Sequence, residues 1–210
     1  MSKMGQAKML GGIGALLTLL VFIPSVGFVV GLVGLVFVFI AVKYIADETK
    51  DSKIFQNYLM NFILTIVAFG AVIAIMIMSF GLSGGMNWIQ SLQQQDITNP
   101  SEFMSSFGTL IGGCILALLV AWVIIIIGSL YLRKSFNSIA AHTKVDLFKT
   151  TGLVYFIGAL TMIVIVGFFI IFIAQILEIV SFFTLPENLP SAPAPAPVAT
   201  EPPKTEPPQM

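Results

Sequence analysis

The chain has 210 residues, of which 57% are hydrophobic and 10% charged, with a mean hydropathy of +0.99 and a formal net charge of zero. A soluble globular domain needs more polar surface than this, so lipid is the expected solvent. Zero net charge supplies neither the basic field that would attract nucleic acid nor an acidic field for a cationic partner.

Uncharged stretches run from Met9 to Val42, Tyr58 to Gln95, Phe103 to Leu132 and Thr150 to Leu177. A membrane helix needs roughly 20 apolar residues, and no ten-residue alternation points to a barrel. In chain order, Lys3 and Lys8 precede an apolar run from Met9 to Ile23, a pattern shared with signal peptides. A second apolar run follows at once, so the expected structure is a retained helical hairpin turning at Pro24-Ser25-Val26-Gly27. As one helix, the 34 residues from Met9 to Val42 would run about 51 Å, against a hydrocarbon core of roughly 30 Å. Two short spans are therefore expected, near residues 9–23 and 27–45, followed by spans near 57–82 and 107–132.

The segment from Ser83 to Ser106 lacks Lys and Arg, whereas Lys43 to Lys53 holds three basic residues and Arg133 to Lys149 holds four. By the positive-inside rule the N-terminus is cytoplasmic and loop 83–106 external, in a multi-pass protein of the cell membrane. Within that loop Asn99-Pro100-Ser101-Glu102 marks a helix start. The last apolar stretch, Gly152 to Leu185, also exceeds one crossing. It is expected either as two spans near 151–166 and 168–185, breaking near Gly167, or as one tilted helix.

Ile45-Ala46-Asp47-Glu48-Thr49-Lys50 matches Ile139-Ala140-Ala141-His142-Thr143-Lys144 at four of six positions, and a one-residue gap carries the match on to Ile54-Phe55 and Leu147-Phe148. This reads as a parallel internal repeat of span, basic loop and span. The competing explanation is that both loops meet the same interfacial needs. Beyond Glu187 the chain becomes rich in proline and alanine, which favours extended polyproline II over a packed core. These readings predict an all-α polytopic helical membrane protein, with a transmembrane domain over 1–186 of five or six spans and a disordered tail over 187–210.

Gln6-Ala7-Lys8 leading into Leu10-Gly11-Gly12-Ile13-Gly14, the Ile23-Pro24-Ser25-Val26-Gly27 turn, Ile54-Phe55, and Leu147-Phe148-Lys149-Thr150 before Gly152-Leu153 carry a resemblance. From Gln6 to Leu185 the chain resembles a family of small, mostly archaeal membrane proteins catalogued as domain of unknown function nine-nine-six. The resemblance implies a multi-span membrane protein and supplies no activity. The resemblance also implies that some relatives carry a metal-binding module after the last span; this tail has no cysteine, so the module is expected to be absent.

Candidate chemistry is sparse. His142 is the only histidine and Cys114 the only cysteine, so no triad or zinc site can be assembled from them. No catalytic residue, metal site or cofactor is expected, and the chain is read as no enzyme. Gly27, Gly31 and Gly34, with Gly108 and Gly112, offer small faces for helix packing, or for self-association. Glu178 is the one carboxylate set within apolar sequence, with Gln175 one turn earlier on its face, a candidate intramembrane polar site. The expected partner is the lipid bilayer, joined by a second copy or another membrane protein, and no nucleic acid. Two functions fit: a non-enzymatic membrane component acting as assembly partner or tether, or a small transporter or channel with a parallel internal repeat.

Overall fold

The computed structural model describes residues 2–23, 27–82, 100–164 and 166–189. Six α-helices hold nearly all of these: α1 (Lys3–Leu19), α2 (Gly27–Thr49), α3 (Ser52–Leu82), α4 (Pro100–Thr143), α5 (Leu147–Thr161) and α6 (Val166–Phe183). There is no strand among the described residues. Among the described residues four helices are long and apolar enough to cross a membrane: Val29–Thr49, Ser52–Gly81, Phe107–Thr143 and Val166–Phe183. The loop from 83 to 99, the Pro24-Ser25-Val26 turn and the tail beyond Leu189 lie outside the described residues.

Each helix packs against the next in the chain, and α1 packs against α6, so the six form a closed circuit. Neighbours run antiparallel. Gly14 meets Gly34 between α1 and α2, Cys114 meets Met76 between α3 and α4, and the Trp122 indole N–H donates to the Ala159 carbonyl (2.9 Å) between α4 and α5. The circuit closes where Gly11 and Gly12 admit the rings of Phe182 and Phe183, positions where a Cβ would overlap the aromatic carbons. Nearby, the Ser2 hydroxyl accepts from the Gly5 amide (3.1 Å) as helix cap and donates to the Glu187 carbonyl (2.6 Å). Ser2 and Glu187, at the two ends of the helical circuit, therefore lie side by side.

The last apolar stretch is a hairpin. Helix α5 stops at Thr161 and α6 starts at Val166, just ahead of Gly167, whose missing side chain lets it sit on the Met162 backbone. The exposed turn residues Met162, Ile163 and Val164 are all apolar. Such a turn tolerates lipid because its amides are satisfied locally: Val164 N–H bonds to Thr161 O (3.0 Å) and Gly167 N–H to Val164 O (2.9 Å). Helix α4 begins at Pro100, where the sequence places a helix start, but runs to Thr143, well past Leu132. The charges from Arg133 onward end the apolar stretch without ending the helix, because Arg and Lys are good helix formers.

The buried core lies at one end of the circuit. It joins Met4 and Ala7 of α1, Val38 to Ala46 of α2, Ile54 and Tyr58 of α3, Leu132 to Ala140 of α4, Phe148 of α5, and Phe182 with Leu185. Phe148 is its centre, with ring centroids 5.5 Å from Phe136 and 5.1 Å from Phe182, both edge-on. Both short basic loops border this core and share one geometry. Lys50 and Lys144 adopt left-handed backbones (φ 56 and 59), the αL end that terminates a helix within one residue. Thr49 and Thr143 hydroxyls each bond the carbonyl four residues back (2.8 Å), and Ile54 and Phe148 amides each bond the carbonyl three back (3.2 Å). Val42 and Phe136, Ile45 and Ile139, and Ile54 and Phe148 are all fully buried at the same spacing. The correspondence thus needs no gap before Ile54, unlike the alignment read from the sequence, because burial pairs Ile54 with Phe148 rather than with Leu147.

Candidate functional site

Helical periodicity puts Phe148, Thr151, Tyr155 and Gly158 on one face of α5, and Ala174, Gln175, Glu178, Ser181 and Phe182 on one face of α6. These faces meet. Gly158 allows the approach, since a Cβ there would press on Ile171. A polar seam results, running inward from the basic end. Thr151 and Ser181 hydroxyls lie 3.0 Å apart, and each also bonds the carbonyl four residues back in its own helix. One helical turn further in, the Tyr155 hydroxyl donates to Glu178 Oε2 at 2.6 Å. Glu178 and Gln175 are each 8% exposed, and Tyr58 from α3, equally buried, lies within electrostatic range of the carboxyl.

Gln175 and Glu178 therefore sit together inside the bundle. Sequence reasoning found both, but missed Tyr155, Tyr58, Thr151 and Ser181, which lie in other helices or at ordinary packing positions. No signal in one sequence pairs Tyr155 with Glu178; the interhelical register does.

The glycines divide. A Cβ at Gly34 would strike the Gly14 carbonyl (2.5 Å) and Thr18 amide (2.6 Å), at Gly27 the Leu20 carbonyl (2.5 Å), and at Gly31 the Val21 side chain (3.0 Å). These three hold the α1–α2 hairpin closed. At Gly108 and Gly112 a Cβ would meet nothing within 4 Å; the close approach on α4 is instead at Gly113, directly against Ser79 of α3. Adjacent helix positions lie about 100° apart, so a one-residue shift turns the small face from neighbour to lipid.

His142 bonds the Ser138 carbonyl (2.8 Å) and stands 3.9 Å from Asp51, linking the two basic loops at the surface. Cys114 packs against Met76, with their sulfurs 3.6 Å apart. Among the described residues no three His, Cys, Asp or Glu side chains cluster as metal ligands.

The family described as "Protein of unknown function (DUF996)" matches residues 30–176, from α2 through both basic loops into α6. The chain belongs to this family. It is also similar to an uncharacterized protein of Methanocaldococcus jannaschii, MJ1644, at 35% identity over 189 residues, covering 90% of this chain and 97% of that protein. No solved structure matches. Membership assigns no activity.

Proposed function

We propose that the protein is a non-enzymatic component of the cell membrane, an assembly partner or tether. The observation behind this reading is the plugged interior at the basic end, where Met4, Ile45, Phe136, Ile139, Phe148 and Phe182 are fully withdrawn and fill the space a solute would cross. Close-packed side chains of this kind leave no room for hydrated cargo. Proteoliposomes holding the full chain are expected to pass none of a panel of ions, amino acids and sugars above empty vesicles; uptake of any one would sink the proposal.

A transporter is the second reading, favoured by the buried Glu178 and by the two matching loops, which fit duplication of a span-loop-span unit. Under it, Glu178→Gln would abolish a measurable flux. In either case the proposed orientation has six passes, with the N-terminus, both basic loops and the end of α6 cytoplasmic and loop 83–106 external. Loop 83–106 is then the surface offered outside, and the proline-rich tail the arm offered inside. In a Cys114→Ala background, Gln94→Cys is expected to react with an impermeant thiol reagent added outside cells, and exposed Asn137→Cys to stay unlabelled. Reaction at both would refute the orientation.

A further inference from the structure

At the basic end a cavity of about 350 Å³ opens between the last turns of α2 and the first turns of α3. Lys43 and Asp47 line it from α2, Lys50 from the turn, and Ser52, Phe55 and Gln56 from α3. Spacings of three and four residues put each set on one helix face. The left-handed backbone at Lys50 reverses the chain, so both faces border the same space. Two positive charges stand there against one negative. Neither lysine is tied to Asp47, although Asp47 lies four residues from Lys43 and three from Lys50: His142 with Asp51 is the only ion pair among the described residues. Asp51 is engaged elsewhere, one oxygen accepting the Lys53 amide (3.0 Å) and the other facing His142. Ser52 and Gln56 add hydroxyl and amide donors. Ammonium groups joined by neutral donors suit a phosphate-bearing anion.

The surface next to the cavity tells what carries that anion. Lys43 is the first charge after the uncharged run from Met9 to Val42, so the cavity stands at the edge of the apolar zone. On the Lys43 face of α2, Val36 and Val29 follow at two and four turns, both exposed. Beyond Gln56 on α3, Met60, Ile63 and Val67 follow at one, two and three turns, also exposed. The polar cavity thus continues into apolar strips on both helices. A free phosphate would leave these strips unused, whereas the chains of a lipid would cover them. Basic pockets between membrane helices take anionic headgroups in this way. The second basic loop does not repeat the set: at the spacing that pairs Ile54 with Phe148, Asn137 stands in the place of Lys43 and Ala141 in that of Asp47. We propose that the cavity between α2 and α3 binds the headgroup of an anionic phospholipid, with Lys43 and Lys50 on its phosphate and its chains along the two helices.

The test uses the purified full-length protein in nonionic detergent, titrated with phosphatidylglycerol in mixed micelles, with phosphatidylcholine and inorganic phosphate as separate arms. Phosphatidylglycerol is expected to raise the melting temperature saturably, because a ligand bound by the folded state stabilises it, and the other two are not. Native mass spectrometry of the same samples should retain phosphatidylglycerol on the wild type. Lys43→Gln and Lys50→Asn should each raise the half-saturating lipid fraction about fivefold, and Asp47→Asn should lower it. These side chains are all exposed, so the variants keep the fold. Lys53→Gln with Lys144→Asn removes the same charge outside the cavity, Lys144 having the same left-handed backbone as Lys50, and should leave the titration curve in place. Equal losses from the two lysine pairs would reduce the effect to attraction between a basic surface and anionic lipid, and would overturn the site. A response to inorganic phosphate matching that to phosphatidylglycerol would overturn the lipid as its ligand. No melting shift and no retained phosphatidylglycerol would overturn the proposal outright.

Discussion

The two ends of this bundle are built differently. At the basic end all six helices contribute to one core, whereas towards loop 83–106 the long pair α3 and α4 carries mainly lipid-facing surface, with Phe69 69% and Leu118 67% exposed. Helix α4, at 44 residues, extends about 66 Å, while the 15 residues of α5 reach only about 22 Å. Trp122 bonds the last turn of α5, so some 20 residues of α4 run on beyond that hairpin. In lipid, apolar residues at either end are equally well solvated, so hydrophobicity does not decide which side chains become core. At the basic end aromatic interlocking of Phe136, Phe148 and Phe182, with hydrogen bonds from Ser135 to Ile54 and between Thr151 and Ser181, decides it.

The largest contrast is expected from truncating the aromatic centre. Phe148→Ala should cost on the order of 3 kcal/mol, the low end for aromatic truncation in packed cores, because lipid already solvates the unfolded helices. Phe69→Ala, on the lipid face, should stay within about 0.5 kcal/mol. Denaturant unfolding in bicelles measures both, and equal effects would remove the distinction between the two ends. Glycines sharpen it next. Gly34→Ala drives a methyl into the backbone of α1 and should cost about 1–3 kcal/mol. Gly112→Ala meets nothing within 4 Å and should be neutral or slightly stabilising; a large loss there would mean that this face is covered by a second copy. The smallest effect concerns the polar seam. Thr151→Val removes one interhelical hydroxyl bond while Ser181 keeps the Leu177 carbonyl, so a loss of about 0.6 kcal/mol is expected.

Much of the fold was legible because bilayer physics writes it plainly. Uncharged runs give the helices, excess length gives the first hairpin, and Lys or Asp clusters give the loops. The break near Gly167 was one of two readings, beside a single tilted helix, because no counterpart of Pro24 marks it; a buried glycine closes the turn there instead. What the sequence hid depends on register between helices. Gly108 and Gly112 have the spacing of a packing face, yet Gly113 makes the contact; Phe182 and Phe183 look like lipid-facing residues, yet they seal the circuit against Gly11 and Gly12. Glu178 stood out as a lone acid in apolar sequence, while its partner Tyr155 did not, because an aromatic on an apolar helix is common at any membrane depth.

The closure of α1 onto α6 is the feature on which the rest depends, since it makes the basic end a single core and brings Ser2 beside Glu187. Cross-linking Ser2→Cys to Glu187→Cys in a Cys114→Ala background, with a short bis-maleimide on intact membranes, tests it most directly. The closed circuit requires efficient linkage within one chain, as Ser2 bonds the Glu187 carbonyl at 2.6 Å, and no linkage when Glu187→Cys is replaced by Phe69→Cys. Failure of the first pair to link, or a C-terminus cut by protease added outside spheroplasts, would contradict the account.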